Sequence, residues 1–479
     1  MSLRKTAISG LVWAFAQQFG TQAIGFFVSI IMARLLLPQE FGLIGMISVF
    51  IGIGNSLIVS GLTQSLIRTS NANQEDYSTI FYFNLLGSII IYLILFFFAP
   101  LIAAFFSQPV LINIIRLYCL SFIIRAFSEV QLTKLTKEMN FKLQMTITIP
   151  SLIGSALLGI FLAYKGYGVW SLVWMSLFQS FLSTVQLWFR SHWAPSLVFN
   201  VEKFKYHFKF GYKITLSGLL NTIFNNIYQI IIGKFFVAAD VGFYTRADSL
   251  KQLPVTNISS ALNKVTYPLF ASIQNDDLRL KKIYKNIMQM VIFIVAPVLV
   301  FLAVLADPLF RFLFTGKWAP AVPYFQILCF VGILYPLHSY NLNILYVKGR
   351  SDLFLKLEIA KKILLVVVIA ITFQFGIMGL IWGQLISSFL IFFINTHYTG
   401  KFLNYNSWEQ TKDILPIIFL AFIAGGIVFA IDLQLKELQY RNIYRLLIGG
   451  TAGAIAYYIL AILFKVNSLY EFKKIILRK

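Results

Sequence analysis

Charged side chains set inside apolar sequence are the first chemistry visible in this chain. Arg125 and Glu129 stand one helical turn apart in one apolar run, and Arg116 precedes them in the same run. Arg246, Asp248, Lys251 and Lys264 interrupt another, "GFYTRADSLKQLPVTNISSALNKVTYPLF". A charge in hydrocarbon costs about 2.5–3.5 kcal/mol on insertion scales, so such residues usually face a cavity and have a task. The five bases suit an anionic head group, and Glu129 and Asp248 suit ion coupling or gating. Arg125 with Glu129 also fits a plain structural staple, since an i,i+4 pair neutralises itself. Arg116 points away from Arg125 and lies near enough to a helix end to snorkel. Gln17, Gln18, Asn221, Asn225 and Asn257 add amides at the same depth. Amides bind sugar hydroxyls and glue helices equally well.

Enzyme signatures do not accompany these groups. The chain carries no GxxxxGK[ST], HExxH or CxxC, and no GxGxxG after a strand. Neither ATP-driven work nor a cofactor or metal is expected, which leaves a proton or sodium gradient, or consumption of the product, to supply energy. The two cysteines, Cys119 and Cys329, both lie in apolar sequence and read as small buried residues.

The elements that position these groups follow from composition. Of 479 residues, 58% are hydrophobic and 12% charged, with a mean hydropathy of +0.78. A soluble domain is nearer half apolar and a quarter charged. About 14 stretches are long enough to span a bilayer as helices: 8–33, 41–66, 78–106, 110–133, 143–164, 168–189, 211–233, 242–272, 286–306, 320–346, 354–374, 376–398, 413–431 and 443–464. An all-α membrane protein is expected. Most Lys and Arg outside these stretches fall on the side that holds both termini, which places that side in the cytoplasm. The net charge of +22 then reflects topology and an anionic inner leaflet, not nucleic acid.

The chain also repeats itself. "ARLLLPQEFGL" at 33–43 returns, worn, as "GKFFVAADVGF" at 233–243. "APLIAAFF" (99–106) pairs with "DPLFRFLF" (307–314), "YCLSFII" (118–124) with "LCFVGIL" (328–334), and "GVWSLVW" (168–174) with "GIMGLIW" (376–382). The near-constant offset predicts two parallel six-helix lobes, 1–200 and 201–400, with two added helices and a basic cytoplasmic tail in 401–479. Parallel lobes facing one another across a cleft suit alternating access. The polar stretch 191–209 is the expected linker, and Pro254 suggests a kink or break in the stretch 242–272.

"ARLLLPQEFGL", "GKFFVAADVGFYTRADSLKQLP", "YPLFASIQND", "FTGKWAPAVPYFQIL" and "LYVKGRSDLFLKLE", in this order, resemble the polysaccharide transport family. That family lies within the multidrug/oligosaccharidyl-lipid/polysaccharide exporter superfamily, and the likeness points to its Wzx-type flippases of the colanic-acid-like branch. The resemblance implies a V-shaped bundle of two lobes in a bacterial cytoplasmic (inner) membrane. It implies transfer of a lipid-linked oligosaccharide, usually on undecaprenyl pyrophosphate, from the cytoplasmic to the periplasmic leaflet. A monomer is implied, working beside glycan polymerase machinery. On that reading Arg116, Arg125, Arg246, Lys251 and Lys264 line the cavity, and the amides meet sugar. The alternatives are a multidrug/ion antiporter or a lipid II flippase of the same superfamily. A membrane glycosyltransferase or polymerase fits less well, because the external loops are short and offer only isolated carboxylates such as Asp307.

Overall fold

The computed structural model describes the backbone of residues 3–58 and 61–476, and the side chains of 9–58, 61–259, 266 and 268–471. It forms two compact units, Met1–Gly242 and Phe243–Lys479. The first holds α1 (Leu3–Leu35), α2 (Pro38–Ile58), α3 (Gly61–Arg68), α4 (Gln74–Phe105), α5 (Leu111–Tyr118), α6 (Leu120–Lys137), α7 (Phe141–Tyr164), α8 (Val169–Arg190), α9 (Val201–Asn225) and α10 (Ile227–Phe235). The division falls inside α11 (Ala238–Ser272). The second unit continues with α12 (Asp277–Val304), α13 (Ala306–Phe314), α14 (Ala321–Val347), α15 (Ser351–Thr372), α16 (Gly376–Leu403), α17 (Ser407–Glu437), α18 (Asn442–Leu463) and α19 (Asn467–Ile476).

Every apolar stretch of the sequence lies on a helix or on two consecutive ones. Among the described residues 11 segments are long and apolar enough to cross a membrane, and one of them, Ser351–Leu403, contains both α15 and α16. The stretches 211–233 and 242–272 are not among these segments. They form helices, but their amides, hydroxyls and charges lower the apolarity. This is a multi-pass membrane protein, and two of its polar long helices, α9 and α11, carry most of the groups singled out above.

Local chemistry explains the helix limits. Asn73 caps α4, its side chain accepting from the Asp76 N–H while the Asp76 carboxylate accepts from the Asn73 N–H. Asn140, Asn200, Asp276 and Asn406 cap α7, α9, α12 and α17, each side chain accepting from backbone N–H of the first turn. Gly168 and Gly376, which the repeat aligns, both adopt the left-handed conformation (φ 55° and 68°) where α8 and α16 begin. Cys119 and Cys329 are buried free thiols, as expected.

The repeat begins again near residue 200, and the compact units divide after Gly242, with α9 and α10 packed on α2, α3 and α4. One expectation changes. α11 runs unbroken through Pro254 and Pro268. A proline removes a donor from a helix, and tertiary packing can carry the helix across that loss.

Candidate functional site

The two copies of the repeated phrase meet inside the first unit. A Cβ on Gly42 of α2 would stand 1.6 Å from the Ala238 carbonyl oxygen, and one on Gly242 would stand 2.0 Å from the Pro38 oxygen. Each copy thus presents a small residue to the backbone of the other, four positions from its own helix start. The contact is reciprocal, as in a two-fold interface. Only small residues let helix backbones approach so closely in a membrane.

From that crossing α2–α3 and α9–α10 run side by side along a seam of small and polar residues. Gly233 meets Met46, Gly52 meets Thr222, and Gly61 and Gly211 touch backbone to backbone. The Ser48 hydroxyl donates to Asn226 Oδ1 (3.1 Å), Ser56 and Thr222 share a hydrogen bond (3.0 Å), and the Gly61 N–H donates to Thr215 Oγ1 (3.1 Å). Asn226 itself marks the break between α9 and α10.

The seam ends in a charged cluster that sequence reasoning missed. Asp76 of α4 and His207 of α9 are 1% and 0% exposed. His207 Nε2 lies 3.1 Å from Asp76 Oδ1 and Nδ1 lies 2.8 Å from the Ser65 hydroxyl of α3. Asp76 Oδ2 accepts from Lys203 Nζ (3.2 Å) and from the Asn73 N–H (2.9 Å). Asp76 reads in sequence as a loop-end acid and His207 as part of a polar linker. The one available signal was the Asn-x-x-Asp capping pattern, which places the carboxylate at a helix start and says nothing of a partner so far along the chain.

The residues expected to bind cargo are distributed as follows. Arg125, half-buried on α6, donates through Nε to the Ser180 hydroxyl of α8 (3.0 Å). Among the described residues no ion pair joins it to half-buried Glu129, although both lie on one helix. Ser128–Thr184 (2.9 Å) and Thr184 to the Ile124 carbonyl (3.0 Å) lace the same two helices. Arg116 of α5 lies over the Phe96 ring, 4.3 Å from its centroid, with Nε 3.4 Å from the Phe96 carbonyl. Gln17 donates to Thr148 of α7 (3.3 Å), so it acts as glue between helices. Gln18, Asn221 and Asn225 are exposed.

In the second unit the guanidinium carbon of Arg246 sits 5.2 Å from the Phe314 ring centroid and 5.4 Å from that of Trp318. Aromatic faces stabilise a desolvated cation. Lys251, 6% exposed, pairs with Asp248 at 2.6 Å, and its stem packs against Gly332 of α14. These two residues are brought together, which balances their charge. Asn257 turns its amide back to the Leu253 carbonyl (2.8 Å). The Lys264 side chain lies outside the described residues.

This pairing makes a test. Lys251→Met should strand Asp248 and lower the thermal midpoint of the detergent-solubilised protein by several degrees. Asp248→Asn/Lys251→Met should recover most of the loss. Truncating one partner of a buried pair costs about 3–5 kcal/mol, whereas replacing both is often near neutral.

Helices of this number and arrangement define a class. The fold matches the lipid II flippase MurJ in its inward closed conformation, with a TM-score of 0.77 at 14% identity over 95% of this chain and 99% of that one. It also matches an inward-facing multidrug resistance MATE family transporter, with a TM-score of 0.59 at 16% identity over 80% and 96%. The chain thus shares its fold with this flippase and this transporter. Residues 31–323 match the family model described as "Polysaccharide biosynthesis protein", and the chain belongs to that family. Relatives include the teichuronic acid biosynthesis protein TuaB of Bacillus subtilis, 25% identical over 84% of both chains. The lipopolysaccharide biosynthesis protein WzxC of Escherichia coli is 25% identical over 82% of both. The succinoglycan biosynthesis transport protein ExoT of Rhizobium meliloti is 26% identical over 72% of this chain and 69% of its own.

Proposed function

We propose that this protein is a flippase that moves a lipid-linked oligosaccharide from the cytoplasmic to the periplasmic leaflet of a bacterial inner membrane. The carrier is undecaprenyl pyrophosphate, the mechanism is alternating access of two parallel repeats, and the product feeds an O-antigen, capsule or exopolysaccharide. Both termini lie in the cytoplasm, the protein works as a monomer, and a polymerase takes the glycan onward. The observation that carries this reading is α11. Its charges suit an anionic pyrophosphate, and Arg246, its guanidinium carbon 5.2 and 5.4 Å from two aromatic ring centroids, holds a cation on the same helix as the Asp248–Lys251 pair. The polysaccharide names of the relatives point to the same cargo.

The decisive experiment uses cells lacking the protein. Undecaprenyl-linked oligosaccharide should accumulate on the cytoplasmic leaflet and surface glycan should disappear, with re-expression restoring both. Accumulation of peptidoglycan precursor instead would make it a lipid II flippase, and altered drug tolerance with normal glycan would make it an antiporter. Arg246→Ala and Arg125→Ala should each reduce surface glycan at least tenfold while membrane levels hold. Loss of one charge-assisted contact to a pyrophosphate costs about 1.5–3 kcal/mol. Normal export from both variants would remove these bases from the transport path.

A further inference from the structure

The transport reading leaves open which ion acts and where. Glu129 and Asp248 were the sequence candidates. Asp248 is neutralised by Lys251, and Glu129 has no ion-pair partner among the described residues to exchange. The cluster at the end of the seam has what these lack. It is buried, and it joins three helices by side chains alone: Ser65 on α3, Asp76 on α4 and His207 on α9. Under the repeat, α3 and α4 belong to the first half and α9 opens the second. Apart from Arg68 over the Phe210 ring, the rest of the seam is contact between small and uncharged polar residues. A buried charged network is a poor way to add stability, since apolar packing does as well or better. It is a good way to make a contact conditional on a proton.

We propose that His207 and Asp76 are the proton site of the transport cycle, and that proton uptake at His207 releases α9 from α3 and α4 and opens that end to cargo. The proposal rests on the transport reading and deepens it by naming the ion and its site. The Gly42–Gly242 crossing holds the other end of α2 and acts as the fulcrum.

The surrounding charges set the direction. Lys203 faces Asp76 from α9. Lys137 reaches in from α6, donating to the Thr69 carbonyl (2.5 Å) and lying 5.7 Å from the Tyr77 ring. Glu75 accepts from Asn200 (3.3 Å), Glu138 pairs with Lys134, and Arg68 lies over the Phe210 ring. Burial holds the His207 imidazole below its usual range, and Lys203 and Lys137 push the same way against the pull of Asp76. A base whose pKa is depressed in the closed contact favours closure above the solvent value, about 6.5. Closure is lost as pH falls below that value, because the open form takes up the proton more readily.

The test uses the full chain in lipid nanodiscs with Cys119→Ala and Cys329→Ala. Spin labels are placed at the exposed positions Asn71→Cys and Lys205→Cys. Pulsed dipolar spectroscopy should show one short-distance population at pH 8. At pH 5.5 the ratio of long to short distances should rise about tenfold, the factor set by one pH unit below an imidazole of ordinary pKa. The same pair with His207→Gln should show no pH response. Identical distributions at both pH values in the unmodified cluster overturn the proposal, as does an unchanged pH response with His207→Gln. If His207→Gln fails to fold, the titration of the native cluster still decides. No glycan enters this measurement. A latch that moves with pH while deletion leaves surface glycan normal would sink the cargo reading and spare the latch; a still latch with a clear glycan phenotype would do the reverse.

Discussion

Gly42→Ala is expected to remove most of the folded protein from the membrane, although it adds a single methyl group. The new Cβ would lie 1.6 Å from the Ala238 carbonyl oxygen and 2.6 Å from its carbon. Both are backbone atoms, so no rotamer change relieves the clash. Overpacking a tight site costs about 1–3 kcal/mol and sometimes more, and a clash with backbone belongs at or above the top of that range. The opposing term is modest, because alanine favours a helix interior over glycine by about 1 kcal/mol. Gly242→Ala should behave alike, since its Cβ would meet the Pro38 oxygen at 2.0 Å. Shrinking the partner, as in Gly42→Ala/Ala238→Gly, should not rescue, because the clash is with the carbonyl and not the methyl. Gly87→Ala and Gly426→Ala, in helices with nothing within 4 Å, are the controls and should match or exceed the parent. Fluorescence-detected size-exclusion yield and a thermal midpoint check all five. A normal Gly42→Ala protein would mean that the two repeats do not cross at these glycines.

Arg445→Met is the second change with a large expected effect, and it acts in the second unit. Arg445 of α18, 5% exposed, grips Asp432 of α17, 8% exposed. The grip is bidentate, through Nε and Nη2 at 2.8 Å each. Nη1 reaches Asn442 Oδ1 at 3.3 Å and lies 3.8 Å from Asp307 of α13, which in turn pairs with Arg311 at 2.7 Å. Arg445→Met leaves Asp432 buried and unpaired, so the loss should be about 3–5 kcal/mol. Arg445→Lys should recover little, because an ammonium cannot form the planar fork. Arg445→Met/Asp432→Leu should return most of the stability. If the single and double variants melt together, the pair carries no weight in holding α17 and α18 to α13.

Much of the architecture was legible in the residues. The apolar stretches map onto helices because backbone polar groups must be satisfied inside lipid, so a long apolar run has one structure open to it. The repeat was legible too, and Gly168 and Gly376 share a left-handed backbone because the same turn is made twice. The apolar pattern did not show the breaks at Cys119 and Asn226. Nor did the residues foretell the continuity of α11 through Pro254.

The candidate site was legible as a set of residues and not as a set of partners. Arg125 and Glu129 invited pairing by spacing, yet Arg125 turns to Ser180 of a different helix. Asp307 looked like an isolated loop carboxylate and proves to belong to the Arg445 cluster. His207 and Asp76 escaped notice because each is ordinary where it stands in the chain.

The sequence by itself determined that this is a multi-span helical membrane protein with an internal repeat and an excess of bases. Composition, run length and periodicity are local quantities, and the bilayer admits few answers to them. Only the tertiary structure decided that the two copies of one phrase cross at Gly42 and Gly242, that α9 lies with the first unit, and that Ser65, Asp76 and His207 share one buried site. Those outcomes depend on which helix faces meet. Contact between residues far apart in the chain is set by side-chain volume and polar satisfaction across several helices at once, and no window of sequence contains that sum.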